Sequence, residues 1–406
     1  MESAMTTQLQ PMGLLEYRDA ALARRYSSAK IPMNTFVERY IDGAIEIKGD
    51  LHQVLRRRND FVNHAFTWDQ LKFIVTKFIP SLLIHSKAAD KEFVCEHYDR
   101  GNDFFEAFLG GSMCYTSGFF KSREETLETA QMRKIRYVGQ KLLLKPNEKL
   151  LDIGCGWGTL VMELADQCGI EGTGVTLSKN QTEYGTARIK ARGLSDRARM
   201  LTMDYRDITG TYDKISCLEM AEHVGVKNFQ KFLRQVSGLL TDDGLFFLQI
   251  VGLRRPPEAM VVRNDRGGYW DAPDFNWTMF MSKYIFPGAD ASLPLSFVSA
   301  QLEKAGFEIR TVENINVHYG LTIHRWYENW IRNRAHVEKA YGDRWWRLWH
   351  MFLAWSVLTG EQGRGDCLQI VAHKSRRGFD RYKWMTDRAA LGEFAPADLP
   401  GVAKTG

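Results

Sequence analysis

The sequence predicts an α/β protein, a mostly parallel sheet flanked by helices, on three observations. From about 130 to 252, short apolar runs alternate with helical stretches, the order that βαβ units require. The first of those runs, Lys149–Ile153, empties into a loop with glycine at 154, 156 and 158. Before and after this region apolar residues fall at helix spacing, so the sheet is expected between an N-terminal helical cap and a helical C-terminal insertion.

In chain order, residues 1–90 read as the cap, with Phe36, Tyr40, Ile41 and Ile45 at helix spacing. The run Arg56-Arg57-Arg58 reads as a phosphate or headgroup contact or, more often for such runs, as a solvated face. The core is expected over 91–375. Lys149–Ile153 and Gly172–Thr176 read as its first two strands, Lys214–Leu218 as the fourth and Gly244–Ile250 as the fifth. Residues 253–277 break the alternation with Pro256, Pro257, Gly267, Gly268 and Pro273, so a lid or loop is expected there. Helices return after Phe297. Over 320–360, Trp326, Trp330, Trp345, Trp346, Trp349 and Trp355 interleave with Arg325, Arg332, Arg334, Arg344 and Arg347. That stretch reads as lipid-facing helices, with rings at headgroup depth, or as a packed helical hairpin. Cys367–His373 reads as a last strand and 376–406 as a tail.

A net charge of +5 is too small to argue for nucleic acid but suits a surface that visits anionic membrane. The six cysteines form no C-x-x-C pair, so neither a structural metal site nor a disulfide framework is expected. Met1–Gly13 lacks the order of a secretory signal, and Phe73–Ile84 is interrupted by Lys77 and Pro80 and is short for a bilayer span. The expectation is a cytoplasmic protein, peripherally attached to membrane, on the cytosolic face of the endoplasmic reticulum in a eukaryotic cell.

Leu151-Asp-Ile-Gly-Cys-Gly-Trp-Gly158 is the strongest single signal. A strand running into such a loop before a helix lets the backbone approach a flat polar ligand closely, the Rossmann-like arrangement. Asp152 ahead of Gly154, Gly156 and Gly158 favours S-adenosyl-L-methionine, because a carboxylate there meets the ammonium of its amino acid end. After the second strand, where an acidic residue usually holds a ribose, this chain has Thr176 and Gln181, which offer neutral hydrogen bonds. After the third, Asp204 and Tyr205 offer a carboxylate and a ring to an adenine.

With His97–Phe105, Met113–Gly118, Leu151–Gly158, Val175–Gln181 and Glu222-His-Val-Gly225, the chain resembles the cyclopropane fatty acid and mycolic acid synthase family over roughly 90–375. Within it, Cys217–Gly225, Phe247–Ile250, Lys283–Ser292, His318-Tyr-Gly320, Arg325–Trp330 and Tyr341–Trp345 resemble most the fungal sphingolipid C9-methyltransferases. Those enzymes carry membrane-spanning stretches near the N-terminus that this sequence does not show. The resemblance implies a class I methyltransferase core, with Tyr98, Gly154, Gly156, Thr176 and Gln181 lining the cofactor pocket and Glu222 at the reacting centre. It also implies a bicarbonate base held by cysteine, glutamate, histidine and tyrosine. Here those positions align with Ser117, Glu222, Gln249 and Ile323, with Cys114 three residues early, so the bicarbonate site is expected to be lost or rebuilt.

Methyl transfer to an alkene needs alignment and a dry pocket, and leaves a carbocation that aromatic faces stabilise. Tyr98, Phe104, Tyr115, Phe119, Tyr284 and Tyr319 are the candidate faces, each set against a plain packing role. A base then removes a proton. Glu222 is the candidate, with His223, Glu219 or a retained anion as its partner. Glu219 and Glu222 would face one pocket if their stretch turns helical, and pairing would raise one pKa; a local cap or ion pair is the equal alternative for Glu219. His318 and His324 are expected to be structural, flanking a helix start at Leu321-Thr322. The expected activity is C-methylation of an unsaturated long-chain lipid, a sphingoid base before a phospholipid acyl chain or a cyclopropane product. The expected partner is therefore lipid at a membrane surface, not nucleic acid, and a homodimer is compatible with the chain. Rival classes are a non-catalytic lipid-binding protein, which cofactor binding would exclude, and an RNA methyltransferase, which the weak charge disfavours.

Overall fold

The computed structural model describes residues 13–80, 100–253, 272–287 and 293–380. Two early helices, α1 (Met33–Ile41) and α2 (Leu51–Arg56), pack against a long C-terminal helix described below. The region is not wholly helical. Phe36, Tyr40 and Ile41 bury one face of α1, but Gly43, at φ +75°, ends the helix, and Ile45 starts a strand, Ile45–Ile47, antiparallel to Leu15–Tyr17. A second short pair, Ile31–Pro32 with Val62–Asn63, is parallel. Helix α3 (Trp68–Phe73) starts with a Thr67/Gln70 capping box and continues as a π-helical turn, Ile74–Phe78. The three arginines are local fittings. Arg56 pairs with Glu361 at 3.6 Å and Arg57 with Asp60 at 3.2 Å, while buried Arg58 donates to the Leu55 carbonyl.

Helices α4 (Asn102–Leu109) and α5 (Leu127–Lys141) lead into the sheet. Its parallel part alternates as β1 (Lys149–Ile153), α6 (Thr159–Cys168), β2 (Glu171–Thr176), α7 (Lys179–Ala191), β3 (Ala198–Thr202), β4 (Tyr212–Leu218), α8 (Val226–Leu239) and β5 (Leu240–Leu253). β1 reads as a central strand because Leu150, Leu151 and Ile153 are buried on both faces. Beyond it come α9 (Ala272–Phe280), α10 (Leu295–Lys304), β6 (Phe307–Asn314), α11 (Asn316–Arg332), α12 (Arg334–Tyr341), α13 (Asp343–Glu361) and β7 (Gly365–Lys374). The seven strands run β6-β7-β5-β4-β1-β2-β3, with β7 antiparallel to both neighbours. Chain order reverses between β1 and β4, and the crevice at the carboxyl ends of those strands is where such sheets bind ligands.

Three expectations change. Of the interval 253–277, residue 253 ends β5, 254–271 lie outside the described residues, and 272–277 belong to α9. β6 was not anticipated; it is an edge strand whose alternation is broken by a register shift between Ile309 and Thr311. The expected lipid-facing surface over 320–360 is built inward, for Trp326, Trp330, Trp346, Trp349 and Trp355 are all buried. Arg347 is buried too, bound to Glu46 and, at 2.6 Å, to Asp343, and Arg334 lies 4.0 Å from the Trp346 ring centre. The packed-hairpin reading holds because one hydrophobic cluster joins these helices to the N-terminal residues and to α4. α11 starts at Asn316, so His318 sits in its first turn and His324 further along; His318 Nδ1 accepts from the Phe120 amide at 3.2 Å, a structural duty.

Candidate active site

The glycine loop is tied to the end of β2, since Gly154 and Cys155 both donate to the Val175 carbonyl, at 2.9 and 3.1 Å. All three glycines have positive φ. A Cβ on Gly154 would meet Met220 at 2.5 Å and one on Gly158 would meet Met200 at 2.4 Å, whereas one on Gly156 would meet nothing within 4 Å. The outer two are required by packing. The middle one turns bare backbone toward open space.

Asp152, one residue before the end of β1, is buried and accepts from Ser216 Oγ at 2.7 Å. Burial lifts its carboxyl to about 6 against the pull of Ser216 and Lys134, so a further cation beside it would be stabilised. At the end of β2 the Thr176 hydroxyl donates to Gln181 Oε1 at 2.6 Å, which brings together the two residues expected there. Ser178 caps α7 between them and orients Gln181. Asp204 is less open than expected, because Arg206 grips both its oxygens at 2.7 Å; Tyr205 stands edge-on to Phe232. Tyr98 lies outside the described residues. Bare backbone at Gly156, a buried carboxylate beside it and paired neutral side chains on the next strand fit an adenosyl sulfonium with an amino acid tail.

Beyond β4 the chain enters the left-handed region at Glu219, φ +55°, and then makes a 3-10 turn, Ala221–His223. This bend brings the two carboxylates close enough for Glu219 to repel charge on Glu222. Glu222 is buried; its Oε1 accepts from the Val251 amide at 2.6 Å, and its Oε2 has no partner. Burial first, then repulsion from Glu219, pushes its carboxyl up to about 8, so it is largely protonated at neutral pH. Glu219 keeps part of its surface open, and its Oε1 accepts from Gln249 Nε2 at 2.5 Å and from the Ser117 amide at 3.4 Å. The Tyr319 hydroxyl donates to it as well. Burial raises this carboxyl also, but Gln249, Lys134, Ser117 and Tyr319 all oppose the rise. The two carboxyls thus differ in their partners: donors from Gln249, Ser117 and Tyr319 surround Glu219, whereas Glu222 has the Val251 amide and an unpartnered Oε2.

The remaining residues sort by position. Ser117 is fully buried with its Oγ unpartnered, and Gln249 is fully buried between Glu219 and Gln369. The His223 ring packs edge-on against Phe286 at 5.7 Å. Tyr115 stands 5.4 Å from Trp326 and 6.4 Å from Phe286, and Tyr319 stands 6.4 Å from Trp326, so these rings wall the pocket beside Glu219. The other candidate faces do other work. Phe104 is core, Phe119 lies on His318 at 4.1 Å, and the Tyr284 hydroxyl donates to Glu38. Sequence reasoning missed Lys134, Lys141, Trp326 as a wall of this pocket, and Gln369. The last was detectable as a lone amide in the apolar run Cys367–Ala372.

Bicarbonate does not fit. Glu219's carboxylate holds the Ser117 amide and Gln249 Nε2, two of the positions that would have to grip it; the far end of Gln249 is taken by Gln369, and Ile323 has no polar atom. A second anion there would have to compete with Glu219 for those donors.

Residues 85–370 match the family model described as mycolic acid cyclopropane synthetase. The sphingolipid C9-methyltransferase of Komagataella phaffii is 44% identical over 390 residues, covering 93% of this chain and 77% of that one. A probable fatty acid methyltransferase of Pseudomonas putida is 31% identical, covering 82% of this chain and 81% of that one. The solved structure of a mycolic acid cyclopropane synthase complexed with SAH superposes with a TM-score of 0.65 at 26% identity, covering 70% of this chain and 98% of that one. The glycine loop, the reversed strand order and the Glu222 turn thus belong to a known lineage, and the chain is a member of the mycolic acid cyclopropane synthetase family of S-adenosyl-L-methionine-dependent methyltransferases.

Proposed function

We propose that this enzyme methylates a double-bond carbon of a long-chain lipid, the sphingoid base of a ceramide or glucosylceramide, and that Glu219 is its base. The observation that carries the base assignment is the Glu219 carboxylate seated on the Ser117 amide, Gln249 and Tyr319 where the resemblance calls for a bicarbonate. The substrate assignment rests on the likeness to sphingolipid C9-methyltransferases.

S-adenosyl-L-methionine, when bound, supplies an electrophilic methyl group. Asp152, Thr176, Gln181 and the bare backbone at Gly156 would hold and orient it. The alkene π pair forms the new C–C bond as the methyl–sulfur bond breaks, its electron pair leaving with the neutral thioether, and the resulting carbocation is stabilised by the faces of Tyr115, Tyr319 and Trp326 by about 0.5 to 2 kcal/mol each. Glu219 takes the neighbouring vinyl proton, and the C–H pair restores the alkene with a methyl branch. Glu222, already protonated, keeps a second negative charge out of the pocket, and the buried walls exclude water that would trap the cation.

The lipid comes from a membrane surface. Among the described residues no helix is long and apolar enough to cross a membrane. Phe66, Trp68, Leu71, Val75 and Ile79 are all exposed, the last four at helix spacing, with exposed Lys72 and Lys77 beside them. Phe66 touches Phe275 at 5.1 Å and Gln70 bonds Asn276 at 2.8 Å, which seats the stripe on α9, two turns before Phe286 at the pocket wall. This stripe supports peripheral attachment to a membrane surface.

A host making both unsaturated sphingolipids and monounsaturated phospholipids tests the reading by its mass-spectrometric lipid profile with and without the protein. A gain of one methylene on the sphingoid base, with the alkene kept, is expected. The same gain confined to phospholipid acyl chains would transfer the assignment to that branch.

A further inference from the structure

Behind the carboxylate pair a row of polar side chains crosses the buried sheet. Glu313 on β6 is the register partner of Gln369 on β7, and Gln369 is the register partner of Gln249 on β5. Register partners on adjacent strands put their side chains on one face, about 5 Å apart. The row closes at β4, where the Glu219 amide donates to the Gln249 carbonyl at 2.8 Å. Both glutamines are fully buried. Above the row lies α5, which lowers Lys141 onto it; Nζ stands 2.7 Å from Gln369 Oε1 and 2.5 Å from Glu313 Oε2.

We infer that Lys141 is a positioning residue for the reaction, its ammonium aligning the Gln369 and Gln249 amides in series so that the last one donates to Glu219. The alignment follows from donor chemistry alone. An ammonium has only donors, so Gln369 must turn its oxygen to Lys141 and its NH2 away. That NH2 meets Gln249 Oε1 at 2.9 Å, which leaves the Gln249 NH2 to donate to Glu219. With Lys141 removed, either amide orientation becomes possible, and the reversed one sets an oxygen against the Glu219 carboxylate. Lys141 thus holds Glu219 as an ionised acceptor from three side chains away. Glu313 and the Tyr137 hydroxyl, 3.0 Å apart, anchor the outer end.

Other groups act on Glu219 directly: Lys134 from α5, whose Nζ donates to Thr116 at 2.6 Å, Tyr319 from α11, and Glu222 from the same turn. Cys367 on β7 is a further titratable neighbour of Glu219, and Tyr115 is one of Tyr319. None of them orients Gln249.

The inference rests on Glu219 being the base, and the test separates the two. Single-turnover formation of the methyl-branched alkene, which needs the proton loss as well as methyl transfer, is measured across pH for the wild type, Glu219→Gln, Lys141→Met, Lys141→Arg and Gln369→Leu. If Glu219→Gln forms the methyl-branched alkene at the wild-type rate, the base reading fails. If it does not, Lys141→Met is expected to move the acid limb of the rate profile upward by about one pH unit, lowering the rate about tenfold on that limb with recovery at alkaline pH. The sign follows because loss of a donor raises the Glu219 pKa, and the base works only when ionised. Lys141→Arg should restore the profile. Gln369→Leu, which breaks the row without stranding a charge, should repeat the shift and covers the case in which Lys141→Met does not fold. An unmoved acid limb in the folded variants, or the same loss at every pH, would overturn the inference while leaving Glu219 as base.

Discussion

The two halves of the crevice are held by different means. On the β1–β2 side, backbone does the positioning: glycines at positive φ, a cap at Ser178, a loop tied to Val175. On the β4–β5 side, side chains do it, through a buried polar row that ends on Glu219. A backbone cradle accepts one shared cofactor and changes little with substrate. A side-chain row can be rebuilt residue by residue, and here it has a carboxylate where the resemblance calls for a bound anion.

The comparison breaks most easily at Glu219. Glu219→Gln should lower turnover about 10²- to 10⁴-fold while leaving cofactor affinity unchanged by calorimetry. Next in size is the backbone side. Gly158→Val adds bulk where even a Cβ would lie 2.4 Å from Met200, at a φ of +74°, and should cost cofactor affinity tenfold or more and lower the melting temperature.

That asymmetry also marks what was legible beforehand. Gly154, Gly156, Gly158, Thr176 and Gln181 were readable because local backbone geometry restricts residue type at those places. The parallel strands were readable from their apolar runs. Glu219, Glu222 and Ser117 were flagged as candidates, but the split of roles between the two carboxylates was not, since it arises from partners on β5, α11 and the segment before α5. Lys141 and Gln369 stayed hidden because only strand register joins them to the pocket. The tryptophans of α11 and α13 looked amphipathic by composition, and burial depends on the N-terminal residues that cover them. Ile45 was assigned to a helix that Gly43 had already ended.

Glu222→Gln sharpens the contrast between the carboxylates. The amide imitates a protonated acid, so turnover should stay within a few-fold of wild type. Because the folded protein holds the Glu222 proton up to about pH 8 against an ordinary value of 4.5, its contribution to stability declines as pH rises through that window. The variant should therefore gain stability over wild type at pH 8, on the order of 4 kcal/mol, and little near pH 4, by denaturant titration at both pH values. The smallest expected effect lies outside the crevice. Trp68→Asp with Val75→Asp should weaken binding to anionic phospholipid vesicles roughly tenfold and leave turnover of a detergent-dispersed substrate unchanged.

Formation of the methyl-branched alkene in buffer stripped of dissolved carbon dioxide, compared with the same buffer supplemented with bicarbonate, tests most directly whether the base is built into the chain. The account predicts equal rates in the two buffers, with Glu219→Gln impaired in both. A rate that falls on stripping and returns with added bicarbonate would contradict it.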